Sequence, residues 1–177
     1  MKAFLAVASL ALGLSLSVPH PVLAQGPEDD RRQIEGIVET FRSAIINKDR
    51  TSFLKLFLRE DVTWVGVITD GSIERNYASR KDPKEPRPPK YFAGSPRKFI
   101  ENIAKAAGPR AETFENVRID SDGDVAQVWF DYVFLADDRQ QNWGKESWQM
   151  VRTDGGWKIA AVVWSMEDNP ALAPPRK

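Results

Sequence analysis

The chain has 177 residues with 25 basic and 25 acidic side chains, one histidine and no cysteine. A formal charge of zero gives no general electrostatic reason to bind nucleic acid or an anionic membrane surface. Without cysteine there is no disulfide frame, and the single histidine, His20, stands in the first stretch, whose removal would take histidine acid–base chemistry and histidine metal sites with it.

That first stretch reads as an export signal. Lys2 gives the positive start, an apolar run follows from Ala3 to Val18, and Val22 and Ala24 supply the small residues before a cut after Ala24. The run is short against the roughly 20 apolar residues of a membrane span. A periplasmic or secreted protein is expected, and without disulfides such a domain must rely on its core. Residues 25–170 are then expected as one domain and 171–177 as a disordered tail.

Residues 29–47 carry Ile34, Val38, Phe41 and Ile45 at helical spacing, with Asp29 and Asp30 suited to the N-terminus. A second, short helix follows, with Thr51 as its cap and Leu54, Phe57 and Leu58 as its buried stripe. "DVTWVGVIT", 61–69, reads as a strand. Residues 70–97 hold five prolines and seven basic against four acidic residues, which predicts a long charged loop with a possible role as a lid over a pocket mouth. Ser95 and Pro96 start a third helix reaching Ala107, with Phe99, Ile100 and Ile103 on its buried side, and Gly108-Pro109 stops it.

From there the chain reads as an antiparallel meander. The runs 113–120, 124–136, 141–153 and 157–167 are separated by turn-forming stretches, among them the Asp-Gly turns "SDGD" and "DGG". Along 124–136, Ala126, Val128, Phe130, Tyr132 and Phe134 make an apolar row, while Gln127, Trp129, Asp131, Val133 and Leu135 make a mixed one. The first row should face the helices. Asp131 and Tyr132 are adjacent, so they point to opposite faces, and Asp131 is expected at a rim or interface. The "DSDGD" turn at 120–124 lacks the frame of a calcium loop, and no metal or cofactor is expected. Helices followed by a meander make an α+β domain with helices against a curved sheet.

Three pieces, "FRSAIINKDRTSFLKLFLREDVTWVGV", "NVRIDSDGDVAQVWFDYVF" and "NWGKESWQMVRTDGGWKI", resemble the NTF2-like superfamily (SnoaL-like, DUF4440-type), and the resemblance spans most of residues 30–167. It implies a cone of N-terminal helices packed on a curved, mainly antiparallel sheet. Many members carry a histidine where Asn142 stands and an acid near Glu146, at positions associated with the cavity. On that pattern Asn142, Glu146 and Trp148 face inward opposite Tyr132, with Trp64 on the first strand and Ala160, Val162 and Trp164 on the last. The family also implies a homodimer through the outer sheet face, where Trp129 and Trp143 are apolar anchors. The resulting expectation is an exported protein that binds a small, partly apolar molecule in an aromatic cavity lined by Trp64, Tyr132, Asn142, Glu146, Trp148 and Trp164. Two alternatives stand beside it. One is a cofactor-independent isomerase or dehydratase with Glu146 as base and Tyr132 as polariser. The other is a protein-interaction module with a collapsed interior, the basic loop contacting an acidic partner. A purely structural role for Glu146 would pair it with Arg152, Lys158 or a backbone amide.

Overall fold

Helix α1, Pro27–Ile46, opens with Glu28, Asp29 and Asp30, whose charges suit the positive end of the helix. It buries Ile34, Val38, Phe41, Ala44 and Ile45 as one stripe. The structure is a computed structural model and describes residues 27–82 and 84–172. The expected leader with its cut after Ala24 therefore lies outside the described residues, as do positions 173–177 of the expected tail. Pro170–Leu172, at the start of that region, forms a 3-10 turn rather than an irregular end.

Helix α2, Arg50–Leu54, is capped by Asp49, not by Thr51: the Asp49 carboxylate accepts from the Ser52 amide at 3.0 Å. A carboxylate reaches the exposed amides as well as a hydroxyl does and adds charge at the dipole's positive end. The helix is also shorter than its apolar spacing predicts. After Leu54 the chain straightens alongside Ile159, exchanging backbone hydrogen bonds at Leu56 and Leu58. Helical periodicity stops there, so Phe53, Leu56 and Phe57 are buried while Leu58 is exposed.

Strand β1 is Thr63–Ile68. The stretch expected as a loop, 70–97, contains helix α3, Asp70–Ala78, and strand β2, Tyr91–Ala93. Thr69 caps α3 by accepting from the Ser72 amide. The helix is tied to the end of the sheet by buried Ser72, which accepts from the Asp168 amide at 2.8 Å, and by Arg75, which pairs with Glu167. The prolines all fall after it, so the charged irregular segment shrinks to the connection between α3 and β2. Helix α4, Pro96–Lys105, has Ser95 as its cap and buries Ile100 and Ile103.

Four long strands complete the chain: β3 Arg110–Ser121, β4 Val125–Ala136, β5 Arg139–Thr153 and β6 Gly156–Asp168. They form one six-stranded sheet in the order β2-β1-β6-β5-β4-β3. All pairs are antiparallel except β1 with β6. The sheet bends at three register shifts, in β3 after Glu115, at the β4–β5 turn, and between β5 and β6 after Gln149.

The inner face carries the core. Ala126, Val128, Phe130 and Tyr132 are buried and Phe134 is partly so, packed with Trp148, Met150, Ile159 and Val162 beneath Phe41 and Phe53. The rings interlock: Phe41 lies 4.9 Å from Trp148 and 4.7 Å from Phe53, and Phe114 lies 4.6 Å from Phe130. Ala160 does not share the inner face as expected. Gln149 pairs with Ala161 and Met150 with Ile159, so Ala160 is the extra residue of a bulge and the inward row steps from Ile159 to Val162. At the far end of the core, Asp30 is buried and paired with Arg152, whose guanidinium lies 4.8 Å over the Trp157 ring.

Candidate functional site

The helices do not cover the whole inner face. Toward the end of the sheet where β1, β2 and α4 meet the last residues of β4, a cavity of about 340 Å³ remains open. Its walls are aromatic. Trp64 of β1 stacks edge-on with Trp164 of β6 at 5.5 Å, Phe92 of β2 also meets Trp164 edge-on at 5.5 Å, and Phe99 of α4 lies 5.4 Å from Trp64. The absence of a side chain at Gly66 makes room for this wall. A side chain at Gly66 would strike Phe92 at 2.4 Å and Trp164 at 2.8 Å. Ser95, the cap of α4, and Lys98 and Asn102 along the helix also line the cavity.

Glu146 opens onto this cavity and is 5% exposed. Its cross-strand neighbours are Phe130 and Trp164, so its surroundings are apolar on both sides. The register runs unbroken past Gly144, which keeps Glu146 on the inner face. Its carboxylate accepts one hydrogen bond, from Trp148 Nε1 at 2.6 Å. Burial raises its pKa from the ordinary carboxylate value to about 7, with the Trp148 bond opposing the rise. Neither Arg152 nor Lys158 reaches it: Arg152 pairs with Asp30, and Lys158 donates to the Lys55 carbonyl.

A second acid faces the same space. Glu112 of β3 is 4% exposed and lines the cavity, and its carboxyl makes no hydrogen bond among the described residues, where the one fully buried side-chain atom without a partner is Trp157 Nε1. Burial pushes its pKa well above the carboxylate range, and the charge of Glu146 pushes it further. Two carboxyls of this kind do not ionise together, so the pair sheds one proton before the other. The sequence reading missed Glu112 because it started the strand at Thr113. The signal was present: Phe114 faces inward, and two-residue alternation places Glu112 beside it.

Tyr132 stands between the two acids on β4 and also lines the cavity. Opposite it is Gly144, where an added Cβ would lie 2.0 Å from the Ser165 carbonyl oxygen. That carbonyl is turned toward Tyr132, whose hydroxyl donates to it at 3.0 Å. The Lys145 amide bonds the Ser165 hydroxyl instead, at 3.0 Å. Burial and the nearby acids raise the Tyr132 pKa strongly. With its one proton held by Ser165, the phenol presents only an acceptor to the cavity, which does not fit the polariser role.

Of the six residues expected to line a pocket, Trp64, Tyr132, Asn142, Glu146 and Trp164 surround this cavity. Trp148 does not. It is 0% exposed, lies in the core under Phe41 and reaches the site only through its bond to Glu146. Asp131 lies on the outer face, bonded by Asn116 at 2.6 Å and paired with Lys145, which together hold its carboxyl below the usual range. Among the described residues no group of three or more acids or histidines is placed to hold a metal ion, and no helix is long and apolar enough to cross a membrane.

No family model matches the chain, and no curated protein does. Solved structures do. An NTF2-like superfamily protein from Salmonella enterica serovar Typhimurium is 18% identical with a TM-score of 0.56, covering 85% of this chain and all of its own. An NTF2-like protein with a cystatin-like fold from Novosphingobium aromaticivorans is 13% identical at 0.56, covering 82% and 87%. A candidate dehydratase of the NTF2-like family from Streptomyces avermitilis is 17% identical at 0.52, covering 79% and 97%. With helices laid across one face of a bent, mainly antiparallel sheet and an open cavity between them, this chain has the NTF2-like α+β fold.

Proposed function

We propose that this protein binds a small, partly apolar molecule in the cavity between α4 and the sheet. The observation that carries the reading is an aromatic cavity with two buried carboxyls at its floor, one of them without a partner. Buried acids cost stability, and apolar pockets with few convergent polar groups are the usual form of ligand sites. The volume is at the lower end for such sites, which points to a small ligand. The open cavity weighs against an interaction module, for which a collapsed interior is expected. Screening a library of small aromatic fragments by NMR tests the reading. Fragments should shift the indole signals of Trp64 and Trp164 and leave Trp129 unmoved. If no fragment moves them, the reading fails.

A second reading is favoured by the Glu146 pKa of about 7, the range of a general base at neutral pH. In it the protein moves a proton as an isomerase or dehydratase without a cofactor. Glu146 is the base and Glu112, not Tyr132, holds the proton that a developing oxyanion would accept. The likeness to a candidate dehydratase is consistent with this. Export through the leader and a homodimer joined at the outer sheet face complete the proposal. Trp129 is 40% exposed there, in one cross-strand row with Ser147, Val163 and Val65. Light scattering that finds a monomer removes the dimer, and a secreted fraction that retains residues 1–24 removes the cleavage.

A further inference from the structure

The floor of the cavity is rich in acceptor oxygens, beside the amide of Asn142 and the proton that the two acids keep between them. Glu112 contributes a buried carboxyl with no partner among the described residues. Glu146 accepts one bond from Trp148 and has lone pairs to spare. The Tyr132 hydroxyl donates its one hydrogen bond to the Ser165 carbonyl and can otherwise only accept. The chemistry that satisfies three converging acceptors is a group with three donors and a positive charge.

We propose that the occupant is a cationic amine, its ammonium seated among Glu112, Glu146 and Tyr132 and its carbon skeleton against Trp64, Phe99 and Trp164. This rests on the reading of the cavity as a ligand site and names the class of ligand. Charge matching supports it. Two buried carboxyls facing one space shed one proton before the other, so the singly ionised floor meets a monocation. The indole walls add the attraction of aromatic faces for a cation in a space shielded from water. The bound ammonium also gives the Glu112 carboxyl a charged partner. Other charged groups around the floor are Asp168 at the end of β6, which adds to the negative field at Tyr132, and Lys98 at the rim. Lys98 is exposed, so water screens its repulsion.

The test is isothermal titration of the whole protein with 2-phenylethylamine, its neutral counterpart 2-phenylethanol and propylbenzene, at pH 5.5 and pH 8. The amine should bind at least about tenfold more tightly than the alcohol at pH 8, as expected of hydrogen bonds to charged groups. The acids lose their protons as pH rises, so amine affinity should increase from pH 5.5 to 8, with protons released on binding at the lower pH. Glu112→Gln and Glu146→Gln should each weaken the amine about tenfold and change the alcohol little. Should either variant fail to fold, the wild-type preference and the proton count decide the matter. If the alcohol or propylbenzene binds as tightly as the amine, the amine assignment falls while the ligand site stands. If none of the three binds at millimolar concentration, both fall. Amine binding that both glutamine variants retain would place it elsewhere and overturn the proposal.

Discussion

Replacing Glu146 by glutamine should remove a penalty that grows with pH. In the unfolded chain this carboxyl loses its proton near 4.5, whereas in the fold it keeps it to about 7. Between those values the native state holds more protons than the unfolded state, so stability falls as pH rises and stays lower above 7. The window spans two and a half pH units, and at 1.36 kcal/mol per unit the penalty is about 3 kcal/mol. Glu112 adds to the effect, because part of its own raised pKa comes from the Glu146 charge, which the substitution removes. Exposed acids whose pKa values are lowered, such as Asp49, Asp70 and Asp122, act in the opposite sense in acid but equally in both proteins. The difference between variant and wild type therefore isolates the buried pair. Urea unfolding at pH 4.5 and pH 8 measures it. With a slope of about 2 kcal/mol per molar urea, the gap between the two midpoints should open by about 1.5 M in favour of Glu146→Gln. If the two proteins respond to pH in parallel, Glu146 does not hold a proton near neutrality and the argument from burial is wrong.

Trp148→Phe deletes the one hydrogen bond that opposes the rise in the Glu146 pKa. The Glu146 carboxyl, followed by carbon NMR, should titrate at higher pH than in the wild type, and the variant should lose about 1–3 kcal/mol at pH 8 beyond its loss at pH 4.5. An unchanged midpoint would show that the indole bond does not set it. Gly144→Ala would drive a methyl group into the Ser165 carbonyl, which is backbone and cannot swing aside. A loss of about 3 kcal/mol in urea unfolding is expected, with the Tyr132 hydroxyl released from Ser165. A loss under about 0.5 kcal/mol would mean that β5 and β6 part easily there.

Much of the fold could be read from the apolar pattern alone. The β4 row from Ala126 to Phe134 has strict two-residue alternation, and it fixes which face meets the helices. What the pattern could not show are the places where periodicity breaks. The bulge at Ala160 shifts the inward set of β6 by one residue, and no residue type announces it. The exit from α2 turns Leu58 outward because a stretch of chain pairs with Ile159 instead of continuing the helix. Helix α3 went unread because the prolines that follow it coloured the whole segment, although Thr69 was a legible cap. The site was half legible. Glu146 could be placed beside aromatic residues, but its partner acid lies two strands away on β3, and only the sheet register brings Glu112 to the same cavity. The Tyr132 bond depends on a carbonyl turning inward at one rung of the ladder, which composition does not encode.

The parallel pairing of β1 with β6 has a consequence for how the cavity comes into being. Trp64 sits beside Val162, and Gly66 beside Trp164, roughly a hundred residues further along the chain. Closing so long a loop is slow, and contacts of this separation delay folding. Strand β2 hangs on β1, and through Phe92 it supplies one wall of the cavity. A growing chain can form α1 and the β3–β4 hairpin early, but the aromatic wall must wait for the last strand to arrive. A nascent or truncated chain that stops short of β6 would carry both buried acids and have no chamber to hold them.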